Sequence, residues 1–199
     1  MGAHPGPKIV SVYGFLGSGK TTVMMQLARK IISDGGKAAI VVNEAGDIPI
    51  DGKLLDVGGF PVKEIFAGCI CCQAVGDFIG ALKALQSVDG LDYILIEPSG
   101  MAEAPGFFAS VTRHVTHGLT KALVLDGPRL LLLLKAARPL ITSQIKTADL
   151  ILLNKVDALD ENQIAELERT IREFSPDVPI RRVSAKNGLP DDYLAGMLL

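Results

Sequence analysis

Short strand-like segments alternate with longer helix-like segments along the sequence. The strand-like segments are Lys8–Tyr13, Ala38–Val42, Val62–Ala67, Tyr93–Ile96, Ala122–Leu125, Leu150–Leu153 and Ile180–Val183. Several of them are continuously apolar, which is typical of strands that are covered on both faces in a parallel sheet. Between them, apolar residues recur with the 3.6-residue period of a helix that packs on one side.

The alternation predicts the fold class. Helices are predicted over Thr21–Ser33 and Val75–Leu85, on both sides of Pro139, after the capping box that Asp160 forms with Gln163, and over Asp191–Leu198. Strands that alternate with helices indicate an α/β fold with a doubly wound, mainly parallel sheet flanked by helices. We expect one domain over residues 8–199 after a disordered lead-in at residues 1–7, and an irregular stretch at residues 48–63.

Composition and charge exclude some classes of partner. The formal net charge is −2 and tryptophan is absent, which argues against nucleic-acid binding by bulk charge or base stacking. No purely apolar run is longer than the five residues of Leu130–Leu134, which is far shorter than the about 20 residues that a membrane span needs. The N-terminus lacks the apolar core of a signal peptide. We therefore expect a cytoplasmic protein with no nucleic-acid or membrane partner.

A glycine-rich segment joins the first strand to the first helix. It reads Gly14-Phe15-Leu16-Gly17-Ser18-Gly19-Lys20-Thr21-Thr22 and fits the phosphate-loop pattern. Such a loop turns its backbone N–H groups towards phosphate oxygens at a helix N-terminus. Lys20 would reach the β- and γ-phosphates and Thr21 would bind Mg²⁺. A glycine-rich turn could match by chance, but the flanking strand and helix favour a nucleotide site.

Two further strand ends predict that the base is guanine. Asn154-Lys155-Val156-Asp157 follows one buried strand, and Ser184-Ala185-Lys186 follows the next. The Asp157 carboxylate can accept hydrogen bonds from the N1–H and the exocyclic amine of guanine, a donor pair that adenine lacks. Asn154 and Lys155 would brace the phosphate loop, and the Ala185 backbone would add a second base contact. The alternative is that Asp157 only caps a helix.

Acidic residues end two other strands on the same side of the predicted sheet. Glu97, in Glu97-Pro98-Ser99-Gly100, could hold the hydration shell of Mg²⁺, and the Gly100 N–H could contact the γ-phosphate. A simple turn would explain Pro98 to Gly100 but not the carboxylate. Glu44 follows the strand Ala38–Val42. The candidate catalytic residues are Lys20, Glu97 and Glu44.

Three cysteines lie within four positions. Cys69, Cys71 and Cys72 cannot form a disulfide framework, but their thiolates suit Zn²⁺ or another thiophilic ion such as Co²⁺, Ni²⁺ or Cu⁺. A fourth ligand could be Glu44, Asp47, water or a second subunit. The alternatives are small packed apolar residues or a redox pair. His114 and His117 have helical spacing, but we expect them to be solvent-exposed.

These motifs together resemble a known family. Their order and spacing resemble those of the CobW-like GTPases, which are grouped with nickel-insertion proteins of urease and hydrogenase and with chaperones of cobalamin enzymes. The resemblance covers about residues 8 to 187. Its most specific part is Gly68-Cys69-Ile70-Cys71-Cys72, between the phosphate loop and Glu97.

The resemblance implies a GTPase whose nucleotide state gates delivery of a metal or metal cofactor to a client metalloenzyme. In it, Cys69, Cys71 and Cys72 match the metal motif, Thr21 the Mg²⁺ ligand, and Asn154 and Asp157 the guanine contacts. Ala45 and Asp47 depart from the phenylalanine and glutamate of many members. The C-terminal domain of longer members is expected to be absent, and a homodimer is plausible.

Two other functions stay open at this point. The chain could be a GTP-dependent chaperone of a cobalamin or corrinoid enzyme, which acts as a protein-binding switch without metal transfer. It could also be a kinase of a small acceptor that uses the same phosphate loop, although guanine selectivity argues against this.

We expect slow intrinsic GTP hydrolysis. Met101 stands where small regulatory GTPases carry the glutamine that orients the attacking water. Single-turnover measurement with radiolabelled GTP checks this. A rate as fast as that of an activator-stimulated GTPase would contradict it.

Overall fold

A parallel sheet forms the centre of the computed structural model, which describes residues 6–42, 55–56, 61–62, 64–66, 73–100, 103–116 and 118–198. In these ranges the strands are β1 (Lys8–Tyr13), β2 (Ala38–Val42), β3 (Leu55–Asp56), β4 (Pro61–Val62), β5 (Glu64–Phe66), β6 (Tyr93–Glu97), β7 (Leu119–Asp126), β8 (Leu150–Asn154) and β9 (Ile180–Arg182). Seven of them form one sheet in the order β5-β2-β6-β1-β7-β8-β9, and every pair is parallel. β3 and β4 form a separate antiparallel pair.

Helices cover both faces of the sheet. They are α1 (Lys20–Ser33), α2 (Gln73–Gln86), α3 (Ala104–Thr112), α4 (Leu130–Ala136), α5 (Arg138–Thr147), α6 (Glu161–Phe174) and α7 (Asp191–Met197). Val10 and Val12 of the central strand point to the face covered by α1 and α7. Ile9 and Tyr13 point to the other face, where α2, α3, α5 and α6 pack. This alternation confirms the doubly wound parallel sheet.

Some observed element boundaries differ from the predicted ones. The segment Val62–Ala67 was expected to be one strand, but Val62 pairs antiparallel with Leu55 whereas Glu64–Phe66 pairs with β2. The two helices expected on both sides of Pro139 are present as α4 and α5, but Pro139 itself lies in the first turn of α5. The first turn tolerates proline because its N–H groups have no partner within the helix. Of the predicted irregular stretch, the structure describes only residues 55–56 and 61–62.

The polar strand ends fall at one edge of this sheet. Parallel strands end on the same side, so the loop after β1 lies beside the last residues of β6, β7 and β8. Within the described ranges, no helix combines the length and the apolarity that crossing a membrane requires.

The capping box of α6 gives a stability prediction. Asp160 accepts a hydrogen bond from the Gln163 N–H, and the Gln163 side chain accepts one from the Asp160 N–H, both at 2.9 Å. Asp160→Ala should therefore cost about 1 kcal/mol and lower the melting temperature by about 2–4 °C. Glu173→Ala, an exposed change in the last turn of the same helix, is the control. Equal melting temperatures for the two variants would contradict the role of the cap.

Candidate functional site

Tight backbone contacts hold the phosphate loop, residues 14 to 19, against the strand ends. Gly14 has φ +141°, and a Cβ there would collide with the Val124 carbonyl oxygen of β7. Gly19 has φ +102°, and a Cβ there would collide with the Asn154 side-chain amide. Glycine is required at both positions because only a residue without a side chain combines these angles with such close approach.

The structure brings Lys20, Thr21 and Glu97 together. The Thr21 hydroxyl lies 3.0 Å from each oxygen of the Glu97 carboxylate. The Lys20 ammonium lies 3.9 Å from the same carboxylate and 3.5 Å from the Phe15 carbonyl oxygen. Lys20 and Glu97 are both buried. A hydroxyl and a carboxylate are oxygen ligands of the kind that Mg²⁺ prefers, so this pair fits the predicted Mg²⁺ ligands.

Gly100 lies directly against the phosphate loop. A Cβ on Gly100 would be 2.9 Å from the Leu16 nitrogen and 3.1 Å from the Gly14 oxygen. The Gly100 carbonyl accepts a hydrogen bond of 3.4 Å from the Gln144 side chain of α5. The Gln144 backbone oxygen in turn accepts a bond of 2.9 Å from the Tyr13 hydroxyl. Burial raises the pKa of the Tyr13 phenol, and Asp149 adds to the rise, so Tyr13 stays a donor.

Asn154 connects the guanine segment to the phosphate loop. Its side chain is buried and donates to the Ser18 carbonyl at 2.8 Å. Its amide oxygen accepts from the Ala185 N–H at 2.9 Å and from the Lys155 N–H at 2.8 Å. The Ala185 N–H, which we expected to contact guanine, thus has a protein acceptor in this structure, and its base contact stays a prediction.

Asp157 is bound by the segment after β9. Ser184 Oγ donates to one oxygen of Asp157, and Lys186 Nζ contacts the other, both at 2.5 Å. Two hydrogen bonds hold the pKa of the Asp157 carboxyl below its usual range, with the larger effect from Lys186 and the smaller from Ser184. The residue that caps α6 is Asp160. The interpretation of Asp157 as a mere helix cap is therefore wrong.

Sequence reasoning missed two residues beside this site. Asp126, the last residue of β7, is buried and lies 2.7 Å from Lys155 Nζ. Arg129 donates to the Leu16 carbonyl of the phosphate loop at 3.1 Å. The available signal was that Asp126 ends an apolar strand, as Glu97 and Asn154 do.

Comparison with known proteins agrees with this arrangement. The family model described as "CobW/HypB/UreG, nucleotide-binding domain" matches residues 8–182. The chain belongs to the CobW/HypB/UreG family. Zinc chaperone YeiR of Escherichia coli is 34% identical over 188 residues, which cover 92% of this chain and 56% of that protein. Zinc chaperone CobW of Pseudomonas aeruginosa is 30% identical over 225 residues, which cover 95% of this chain and 59% of that protein.

Solved structures of the CobW/HypB/UreG group share the fold. Hydrogenase maturation factor HypB from Archaeoglobus fulgidus superposes with a TM-score of 0.66 at 19% identity, over 97% of this chain and 91% of that chain. The resemblance to CobW-like GTPases is thus confirmed at the level of family and fold. The chain spans less than three fifths of the length of the two curated relatives.

Several residues on which the sequence predictions rest lie outside the described residues. They are Glu44, Asp47, Cys69, Cys71, Cys72, Met101 and His117. In the part of the chain that the structure describes, there is no group of three His, Cys, Asp or Glu side chains that could hold a metal ion. The metal assignments therefore stay predictions.

The contacts of Asp157 give a prediction on base specificity. Asp157→Asn replaces a double acceptor by an amide and should weaken GDP binding about 100-fold or more, because two charge-assisted hydrogen bonds are lost. Xanthosine diphosphate should bind better to the variant, since its base offers a carbonyl where guanine offers an amine. Titration with fluorescent GDP and XDP measures both effects.

Asp177→Asn, an exposed change in the connection before β9, is the matched control and should leave both affinities unchanged. A variant at Asp157 that retains wild-type GDP affinity, or that gains nothing for XDP, would contradict guanine recognition by this carboxylate.

Proposed function

We propose that this protein is a GTP-binding and slowly GTP-hydrolysing metallochaperone or metal-cofactor insertion factor, in which nucleotide state and thiolate metal binding are coupled. The observation that carries the proposal is that the buried side-chain amide of Asn154 joins the phosphate loop to Ala185. A base-recognition segment and a phosphate cradle that share one hydrogen-bonding side chain form a site for a guanine nucleotide.

The charged groups of the site suit a nucleoside triphosphate. Lys20 would neutralise the β- and γ-phosphates. Thr21 and Glu97 would hold Mg²⁺, which would withdraw charge from the same phosphates. Gly100, pressed against Leu16, would offer its N–H to the γ-phosphate. These residues bind and orient the nucleotide, and Met101 provides no side chain that orients the attacking water, which supports a slow intrinsic rate.

Strand register supports coupling to the cysteines. Val42 of β2 is aligned with Phe66 of β5 on one side and with Glu97 of β6 on the other. Phe66 therefore lies about 10 Å from Glu97, two strand spacings away. Cys69 follows Phe66 by three residues, and α2 begins at Gln73, directly after Cys72. β5 thus ends, three residues before Cys69, at the sheet edge that carries the phosphate loop.

The names of the relatives favour one metal over the others. YeiR and CobW are described as zinc chaperones. We propose Zn²⁺ as the first candidate for Cys69, Cys71 and Cys72, with Co²⁺ or Ni²⁺ as alternatives and Glu44 as a possible further ligand. The partner would be a client metalloenzyme, and a homodimer would offer a way to complete the ligand set.

Coupling predicts that GTP changes the affinity for zinc. Titration with Zn²⁺ against a chelating indicator, with and without Mg²⁺ and a non-hydrolysable GTP analogue, should show a shift of about 5- to 150-fold. Because linkage is reciprocal, Zn²⁺ should change the affinity for the analogue by the same factor. Identical zinc affinities in both states would contradict the coupling.

Two variants separate the sites. Lys20→Ala should abolish GTP binding and leave zinc binding measurable, whereas Cys71→Ala should do the reverse. Loss of both activities in both variants would indicate unfolding, which a melting curve checks.

Co-purification of a corrinoid protein, without a thiolate-to-metal charge-transfer band on addition of Co²⁺, would instead favour the cobalamin-enzyme chaperone.

A further inference from the structure

Three successive carbonyl groups of the phosphate loop are bound from outside. The Leu16 oxygen accepts from Arg129 Nη2 at 3.1 Å, and the Gly17 oxygen from Lys155 Nζ at 2.8 Å. The Ser18 oxygen accepts from the Asn154 side chain at 2.8 Å. Asn154 and Lys155 belong to the guanine segment, but Arg129 comes from the turn after β7 and belongs to no motif of the sequence.

One buried carboxylate holds both cations in place. Asp126 Oδ2 lies 2.7 Å from Lys155 Nζ and 3.7 Å from Arg129 Nε. Asp126 Oδ1 accepts from the Arg129 N–H at 3.3 Å, which caps the 3₁₀ turn Gly127–Arg129. The Asp126 side chain is 1% exposed, whereas the side chains of Lys155 and Arg129 are 39% and 43% exposed. An ionised carboxylate at that depth requires its cationic partners, so it fixes where both side chains point.

Each of these contacts binds the carbonyl oxygen of a peptide group and thereby also orients the N–H on the opposite side of that group. A peptide bond is planar and trans, so the carbonyl of Leu16 and the N–H of Gly17 point in opposite directions. A cation that fixes the outward oxygen also fixes the N–H that faces the phosphates. Gly17 has φ +75° and no side chain, so its peptide groups lose much conformational freedom when a nucleotide orders them. Holding them beforehand reduces that loss on binding.

We propose that Asp126 and Arg129 are positioning residues that pre-organise the phosphate loop for the β-phosphate of the nucleotide. Arg129 binds the outer carbonyl of Leu16, and Asp126 aligns Arg129 and Lys155 together. The inference rests on the proposed nucleotide binding and adds to it a brace from β7 that the guanine motif does not contain.

The test compares GDP with GMP, which lacks the β-phosphate. Arg129→Met should weaken GDP binding about tenfold, the effect expected for one charge-assisted hydrogen bond, and should change GMP binding less than twofold. Arg129→Lys should recover most of the GDP affinity, because an ammonium group can still reach the Leu16 carbonyl. Fluorescence competition titrations measure all three proteins.

The matched control is Arg113→Met. Arg113 also donates to a backbone carbonyl, that of Ala109 at 3.1 Å, but it lies at the end of α3, away from the phosphate loop. It should leave both affinities unchanged. Asp126→Asn should weaken GDP binding more than Arg129→Met does, since it releases Lys155 as well. Hydrogen exchange of the nucleotide-free protein should be faster at Gly17 to Gly19 in Arg129→Met than in the control.

The outcomes are distinguishable. Wild-type protein that binds neither GDP nor GTP would overturn the proposed function and this inference together. Wild-type binding of GDP with equal affinity in Arg129→Met would overturn the inference alone. So would an equal loss of GDP and GMP affinity, because it would indicate a general defect and not one at the β-phosphate. Arg129 is nearly half exposed, so its replacement leaves the fold intact, and a melting curve verifies this.

Discussion

The buried side-chain amide of Asn154 is the interaction on which the rest of the site depends. It donates to Ser18 of the phosphate loop and accepts from Ala185 after β9. A buried amide that loses one of these partners would cost free energy, because water cannot replace the missing hydrogen bond at that depth. The amide therefore fixes the distance between the part of the site that would hold phosphates and the part that would hold the base. Gly19 is needed for the same reason, since any side chain there would occupy the position of this amide.

Charge around the phosphate loop is arranged so that a polyanion is favoured. Among the described residues, Lys20, Arg129 and Lys155 contact the loop, and the carboxylates of Glu97 and Asp126 lie beside them. The two carboxylates have different geometry. Asp126 is 2.7 Å from its lysine, whereas Glu97 is 3.9 Å from Lys20. The Asp126–Lys155 pair has the short distance of a direct salt bridge, whereas Lys20 lies between the Glu97 carboxylate and the Phe15 carbonyl of the phosphate loop.

The fold could be predicted from the sequence because each of its rules is local. Apolar runs gave β1, β2, β6 and β8 within one residue of their observed ends, and the capping box placed the start of α6. The predicted boundaries differ from the observed ones where a residue type is compatible with two kinds of local structure. Pro139 can end a helix or begin one, and the polar residues Thr120 and Lys121 concealed the first half of β7, which pairs with β1 along its length. The pattern of apolar and polar residues within one segment contains no information on which other strand pairs with it.

The same distinction between local and long-range information applies to the site. The contact of Asn154 and Lys155 with the phosphate loop could be predicted, because the spacing within each of the two motifs is fixed by the backbone geometry that it needs. Asp126 and Arg129 could not, because their role depends on the register that puts Asp126 beside Asn154. That alignment exists only after β7 and β8 have paired.

Gln144 shows how the nucleotide site connects to the body of the protein. Its side chain donates to Gly100, and its backbone oxygen accepts from Tyr13, the residue before the phosphate loop. Its side-chain oxygen is buried without a hydrogen-bond partner among the described residues. A buried acceptor without a partner is unfavourable, so a backbone position of the Glu97 to Gly100 segment that supplied a donor would be stabilised. One residue of α5 therefore links the position of Gly100 to the strand that leads into the phosphate loop.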